Sequence, residues 1–183
     1  SSGRLRFTQD WAEVGAFGDV HFVCVNTPQK HGEYACDMSY VESAVGSLAP
    51  HLTRPALVVG KSTVPVGSAD RLARTIAELA PAGADAELAW NPEFLREGFA
   101  VQDTLHPDRI VVGVQRDSTC AEQAVRELYG PLLDQGVPLL LTDLQTAELV
   151  KVSANAFLAT KISFINAISE VCEAADADVT VLA

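Results

Sequence analysis

The sequence predicts an α/β protein, a parallel sheet with helices on its faces followed by one very long helix. Three observations predict it. Short apolar runs at residues 20–25, 56–59, 86–90, 110–114 and 137–141 alternate with stretches of helical spacing. That alternation is the mark of strand–helix–strand units. The runs are near-continuous rather than every-other-residue, as strands covered on both faces require. Finally, no Gly or Pro occurs after Pro138, and residues 143–175 are rich in Ala, Leu, Glu and Ile. Good helix formers over about 30 residues make a rod of roughly 45 Å.

Taken in order, residues 5–8 read as a short strand and 9–14 as a short polar helix. The strand at 20–25 stops at Asn26-Thr27-Pro28, a clear breaker, and 29–36 is a polar loop. Helical spacing runs over 38–52 through Tyr40, Val41, Ala44, Val45 and Leu48. The strand at 56–59 runs into Gly60-Lys61-Ser62-Thr63-Val64-Pro65-Val66-Gly67. Ser68 is the expected N-cap of a helix to residue 80, with Leu72, Ile76 and Leu79 on one face. After the strand at 86–90, Asn91-Pro92-Glu93 reads as N-cap, first-turn Pro and first-turn acid of a short helix that Gly98 stops. A strand at 110–114, a helix over 119–134 and a strand at 137–141 follow. Thr142 or Asp143 then caps the long helix. Its apolar residues surround it instead of forming one stripe, which predicts burial on most sides.

Composition narrows the function. The chain has 183 residues and a net charge of −11, with 48% hydrophobic and 20% charged residues, so it is globular. That acidity repels nucleic-acid backbones. The four histidines have no metal-ligand spacing, and no metal is expected. Cys24, Cys36, Cys120 and Cys172 show no paired spacing. Cys24 and Cys172 read as small core residues, and a reducing cytoplasm fits. No apolar run suits a membrane span, and no signal peptide is visible behind Ser1-Ser2-Gly3.

In parallel sheets ligands bind beyond the carboxyl ends of the strands. Three loops there carry chemistry: Val25 to Pro28, Lys61-Ser62-Thr63, and Asn91 to Gly98. Glu93 and Glu97, four apart on a short helix, are either an acid/base pair or the acids of a capped surface turn. Lys151 and Asn155 share a helix face. They either stabilise an oxyanion, or Lys151 snorkels and pairs with Glu148 or another exposed acid. The Ser62 and Thr63 hydroxyls orient water or a ribose, or serve a turn, and Thr27 likewise. Lys61 is an exposed loop lysine or a phosphate ligand. Phe94, Phe157 and Phe164 read as core. No G-x-G-x-x-G follows any strand.

The stretches VNTP, GKSTVPVG, NPEFLREGFAVQD, HPDRIVVG and AELVKVSANAFLATKISFINAISEVCEAADADV, in this order, closely resemble the UDP-glucose/GDP-mannose dehydrogenase family, and within it the UDP-glucose 6-dehydrogenases. The resemblance runs from about residue 5 to the last. It implies a Rossmann-like domain at 1–142 with its first βα unit missing, then a long central helix at 143–183 that opens a dimerisation domain. It implies NAD-dependent oxidation of a UDP-sugar alcohol to a carboxylate, through a cysteine thioester, in a homodimer. By position, Glu93 resembles the acid/base of the hydrolysis, Thr63 the group that places water, and Lys151 with Asn155 the oxyanion pair. Val25, Asn26, Thr27, Pro28, Gln29, Ser62, Thr63, Val64 and Glu97 resemble cofactor contacts. Glu93, Phe94, Leu95, Arg96, Glu97, Lys151 and Asn155 resemble substrate contacts. The family's glycine loop and its Gly-Gly-Ser-Cys-type segment do not occur in this sequence, so the chain alone is expected to be inactive. Two alternatives stay open: a sister enzyme acting on GDP-mannose or UDP-N-acetyl-mannosamine, and a non-catalytic α/β dimerisation module.

Overall fold

A computed structural model describes residues 4–116, 118 and 120–183. Ser1-Ser2-Gly3, and the helix start expected at Thr119, lie outside the described residues. Strands β1 (Val20–Val23), β2 (Ala56–Gly60), β3 (Ala86–Trp90), β4 (Ile110–Val114) and β5 (Leu139–Asp143) form one sheet in sequence order. Helices α1 (Trp11–Phe17), α2 (Ser39–Leu48), α3 (Ser68–Leu79), α4 (Ala100–Leu105), α5 (Cys120–Leu133), α6 (Leu144–Ala174) and α7 (Val179–Leu182) connect and extend it. The α/β class is as the sequence predicts.

Period-two alternation splits the core into two layers. On one face Val58, Leu88 and Trp90 pack with Val41 and Val45 of α2, Leu72 and Ile76 of α3 and Leu144 of α6. On the other, Leu57, Val59, Ala89, Ile110 and Val112 pack with Ala121 and Val125 of α5. Burial on both sides explains the continuous apolar runs of β2, β3 and β4, while the edge strands β1 and β5 leave Phe22 and Leu140 exposed.

Several expectations are corrected. Residues 5–8 form no strand. The sheet is parallel across β1, β2 and β3 and again across β4 and β5, but β3 meets β4 antiparallel, through Ala89–Val114 and Trp90–Gly113. The reversal has a local cause. Residues 91–99, which contain no helix, and the short α4 connect β3 to β4, with no long crossover helix to carry the chain back to the starting edge. Gly67, at φ +87°, precedes the first residue of α3, so Ser68 lies inside the helix. Cys24 is exposed, because β1 is an edge strand and Phe22 and Cys24 point to its uncovered side; Cys172 is buried.

The antiparallel step positions α6. It leaves Asp143 in register with Val114, opposite Ala89 and one residue short of the end of β3. The Asp143 carboxylate accepts from the Thr146 N–H at 2.7 Å and caps α6. The helix then runs back across the sheet, and two turns later, about 10 Å on, Lys151 reaches the edge where β1–β3 end. Gly113 permits this approach, since a Cβ there would lie 2.7 Å from the Ala147 Cβ. Beyond Lys151 the helix outruns the sheet, so burial on most sides does not hold. Leu149, Phe157, Leu158, Ile162, Phe164 and Val171 are exposed, Phe157 and Phe164 by 67% and 62%, against the core reading of those two rings.

Candidate active site

The register aligns Val23, Gly60 and Trp90 in one row, so the loops after β1, β2 and β3 start side by side. Their main chains are tied together. The Thr27 hydroxyl donates to the Thr63 carbonyl at 2.8 Å, and the Ser62 hydroxyl donates to the Val25 carbonyl at 2.5 Å. Those two hydroxyls are therefore spent on holding the loops. The Thr63 hydroxyl has no such bond among the described residues and is available to a ligand or water. The sequence left turn and ligand roles open for all three, and the structure separates them.

Glu93 and Lys151 meet at this edge. Lys151 Nζ lies 3.0 Å from Glu93 Oε1, with Lys151 7% exposed. Glu93 Oε2 accepts from the Leu95 N–H at 2.6 Å, so both carboxylate oxygens are held. Lys151 does not pair with Glu148, the alternative that spacing allowed. Glu148, 1% exposed, turns instead to α3. It accepts from the Gly67 N–H at 2.6 Å and the Ala69 N–H at 2.7 Å. Burial raises the Glu148 carboxyl above its ordinary range, and these N–H donors oppose that shift. One turn of α6 thus holds the turn that follows Thr63 through Glu148 and holds Glu93 through Lys151.

The expected Asn91–Glu93 helix is absent. Residues 91–96 form neither helix nor strand, and α4 starts only at Ala100. Asn91 is no cap. It is 3% exposed and both ends of its amide are bonded: Nδ2 donates to the Val111 carbonyl at 2.8 Å, and Oδ1 accepts from Lys61 Nζ at 3.0 Å and from the Tyr129 hydroxyl. Burial pushes the Tyr129 phenol up to about 12, which keeps it a donor. Glu93 and Glu97 therefore share no helix face, and Glu97 sits exposed in a turn closed by Gly98 at φ +82°.

Phe94 lies between two cations, the Arg109 guanidinium 5.1 Å and Lys151 Nζ 5.4 Å from its ring centre. Arg96 is already committed, its guanidinium bonded to Asp103 and stacked 4.9 Å from the Phe99 ring. Leu95 is exposed, and Asn155 projects, exposed, one turn beyond Lys151. A cleft of about 540 Å³ opens beside the pair, lined by Lys61, Glu93, Phe94, Arg109, Tyr129 and Leu132 among others. Sequence reading missed Tyr129, Asp103 and Arg109, and it read Lys61 as an exposed loop lysine or a phosphate ligand rather than as a partner of Asn91. Lys61 and Tyr129 work through Asn91, 30 and 38 residues away, and no local pattern marks that.

Among the described residues no His, Cys, Asp and Glu cluster suits a metal ion, and no helix is long and apolar enough to cross a membrane.

Residues 1–133 match the NAD binding domain of the UDP-glucose/GDP-mannose dehydrogenase family, and residues 145–183 match that family's central domain. A UDP-glucose 6-dehydrogenase of Rhizobium meliloti (strain 1021) is 46% identical over 179 residues, which is 98% of this chain and 41% of that protein. A UDP-glucose dehydrogenase structure from Pyrobaculum islandicum superposes with a TM-score of 0.89 at 37% identity, covering 99% of this chain and 41% of that one. A GDP-mannose dehydrogenase structure from Pseudomonas aeruginosa gives a TM-score of 0.87 at 27% identity over 96% of this chain and 40% of that one. The chain thus spans about two-fifths of the length of these relatives. With its sheet, its long helix and nearly its whole sequence matched, the chain belongs to the UDP-glucose/GDP-mannose dehydrogenase family.

Proposed function

We propose that this chain is the part of an NAD-dependent UDP-glucose 6-dehydrogenase that holds the acid/base and oxyanion groups, residues 1–142 being the later part of its NAD domain and 143–183 the start of its central domain. The observation that carries the reading is the Lys151–Glu93 pair, 3.0 Å apart, at the mouth of three parallel strands. The relatives named UDP-glucose 6-dehydrogenase favour UDP-glucose over GDP-mannose, since the GDP-mannose enzyme is less similar.

The cofactor fits what the structure offers. The loops at Val25, Asn26, Thr27, Pro28 and Gln29 and at Ser62, Thr63 and Val64 are held by their own hydroxyls at the strand ends, where dinucleotides bind, and Thr63 keeps a free hydroxyl. Glu97 is a further cofactor contact. NAD, when bound, supplies the hydride acceptor. The protein's part is protons and charge. Glu93 takes a proton from an attacking water that Thr63 orients. Lys151 and Asn155 place a cation and a neutral donor beside the oxygen that becomes negative. Phe94, Leu95 and Arg96 line the substrate side.

The full-length protein should reduce NAD in the presence of UDP-glucose, followed by absorbance. Lys151→Ala should lower kcat by about 10² to 10³, the usual loss on removing one oxyanion donor. No turnover with UDP-glucose, or turnover unchanged in Lys151→Ala, would sink the reading. The partner is a second copy of the chain, docked through the apolar far half of α6, and the compartment is the cytoplasm.

A further inference from the structure

We propose that Lys61 is a positioning residue for Glu93, acting with Tyr129 through the buried side chain of Asn91; the inference rests on the reading of Glu93 given above. Residues 91–96 belong to no helix or strand, so no regular ladder fixes Glu93. The segment is held at two ends. At the far end Asp103 accepts from the Arg96 N–H at 2.8 Å and from its guanidinium. At the near end everything converges on Asn91. Its N–H donates to the Gly60 carbonyl at 2.8 Å, and its amide reaches the Val111 carbonyl of β4. Tyr129 of α5 and Lys61, just beyond β2, donate to its Oδ1.

Lys61 Nζ also lies 3.3 Å from the Asn91 main-chain carbonyl, so one ammonium clamps both oxygens of the residue two places before Glu93. A loop lysine free of duties stays in water. This one is drawn in, 6.0 Å from the Phe22 ring centre, and burial lowers its proton affinity while the Cys24 and Glu93 charges oppose that. Such burial is sustained only where the ammonium finds acceptors, and Asn91 provides two. Lys61 is also two residues before Thr63. A single side chain therefore links the loop that carries the water-orienting hydroxyl to the loop that carries the acid/base.

The test uses the full-length protein with two readouts. Hydrogen exchange followed by mass spectrometry reports on the segment itself. Lys61→Met should speed exchange over residues 91–98 by at least about fivefold, the worth of one of the two hydrogen bonds it removes, and leave α2 and α3 unchanged. Turnover should fall about tenfold to a hundredfold, as misplacement of a reacting group does, with KM for NAD unchanged. Tyr129→Phe, which removes one hydroxyl and no charge, should loosen the same segment less. The double variant should show less than the combined effects, because both groups act on Asn91. Exchange over 91–98 that matches wild type, or that rises equally in α2 and α3, overturns the proposal, as does full additivity. Wild-type protein without turnover refutes the enzyme reading alone, since the exchange result does not depend on activity.

Discussion

Asp103 accepts three hydrogen bonds from Arg96: from the main-chain N–H at 2.8 Å, from Nε at 3.1 Å and from Nη2 at 2.7 Å. These bonds favour the ionised carboxylate and bring its pKa from 3.8 down to about 2. The unfolded chain binds that proton at higher pH than the folded one. The contribution to stability is therefore fully present above about 3.8 and disappears as pH falls toward about 2. Asp103→Asn should flatten that part of the acid-unfolding curve, measured by urea midpoints at stepped pH. An unchanged slope would mean the bonds are not formed in solution. At this scale Glu93, Lys151 and Thr63 were legible in the sequence as residue types at suggestive spacings. Their partners were not, because the Lys61–Asn91 and Asn91–Tyr129 bonds span 30 and 38 residues.

Among the elements, β2 and β3 are packed to the limit. Gly60 and Trp90 are register partners, and a Cβ at Gly60 would lie 2.0 Å from the Trp90 ring, which is 1% exposed and cannot yield. Gly60→Ala should destabilise the fold by at least about 1–3 kcal/mol, the usual cost of overpacking, read from denaturant unfolding. A neutral result would show that Trp90 has room to move. The inner strands β2, β3 and β4 were legible because burial on both faces leaves a continuous apolar run. The antiparallel step from β3 to β4 was not, because strand direction depends on where a connection delivers the chain, and the loop after Trp90 gives no local sign of it. The missing helix at Asn91 has the same origin. N-cap, Pro and acid are the right local signals, but Asn91 is held inside by Val111, Lys61 and Tyr129, and tertiary bonds outrank a cap worth about 1 kcal/mol.

For the whole molecule, the far half of α6 leaves Phe157, Phe164 and Val171 in solvent. Contiguous apolar surface of this kind marks an interaction site. The full-length protein should sediment as a dimer, and Phe157→Asp combined with Phe164→Asp should shift it toward monomer. A monomeric wild type would remove the proposed dimer. Composition and periodicity alone determined the α/β class, the five strands of the sheet to within two residues and a helix of about 30 residues, because each is a property of neighbours in the chain. Tertiary structure decided which groups face each other. The sheet reverses at β4, so the chain leaves β5 heading away from Glu93 and α6 turns back to bring Lys151 to it, and the same packing draws Lys61 onto Asn91. Those meetings depend on strand direction and on partners far apart in sequence, which local spacing does not encode.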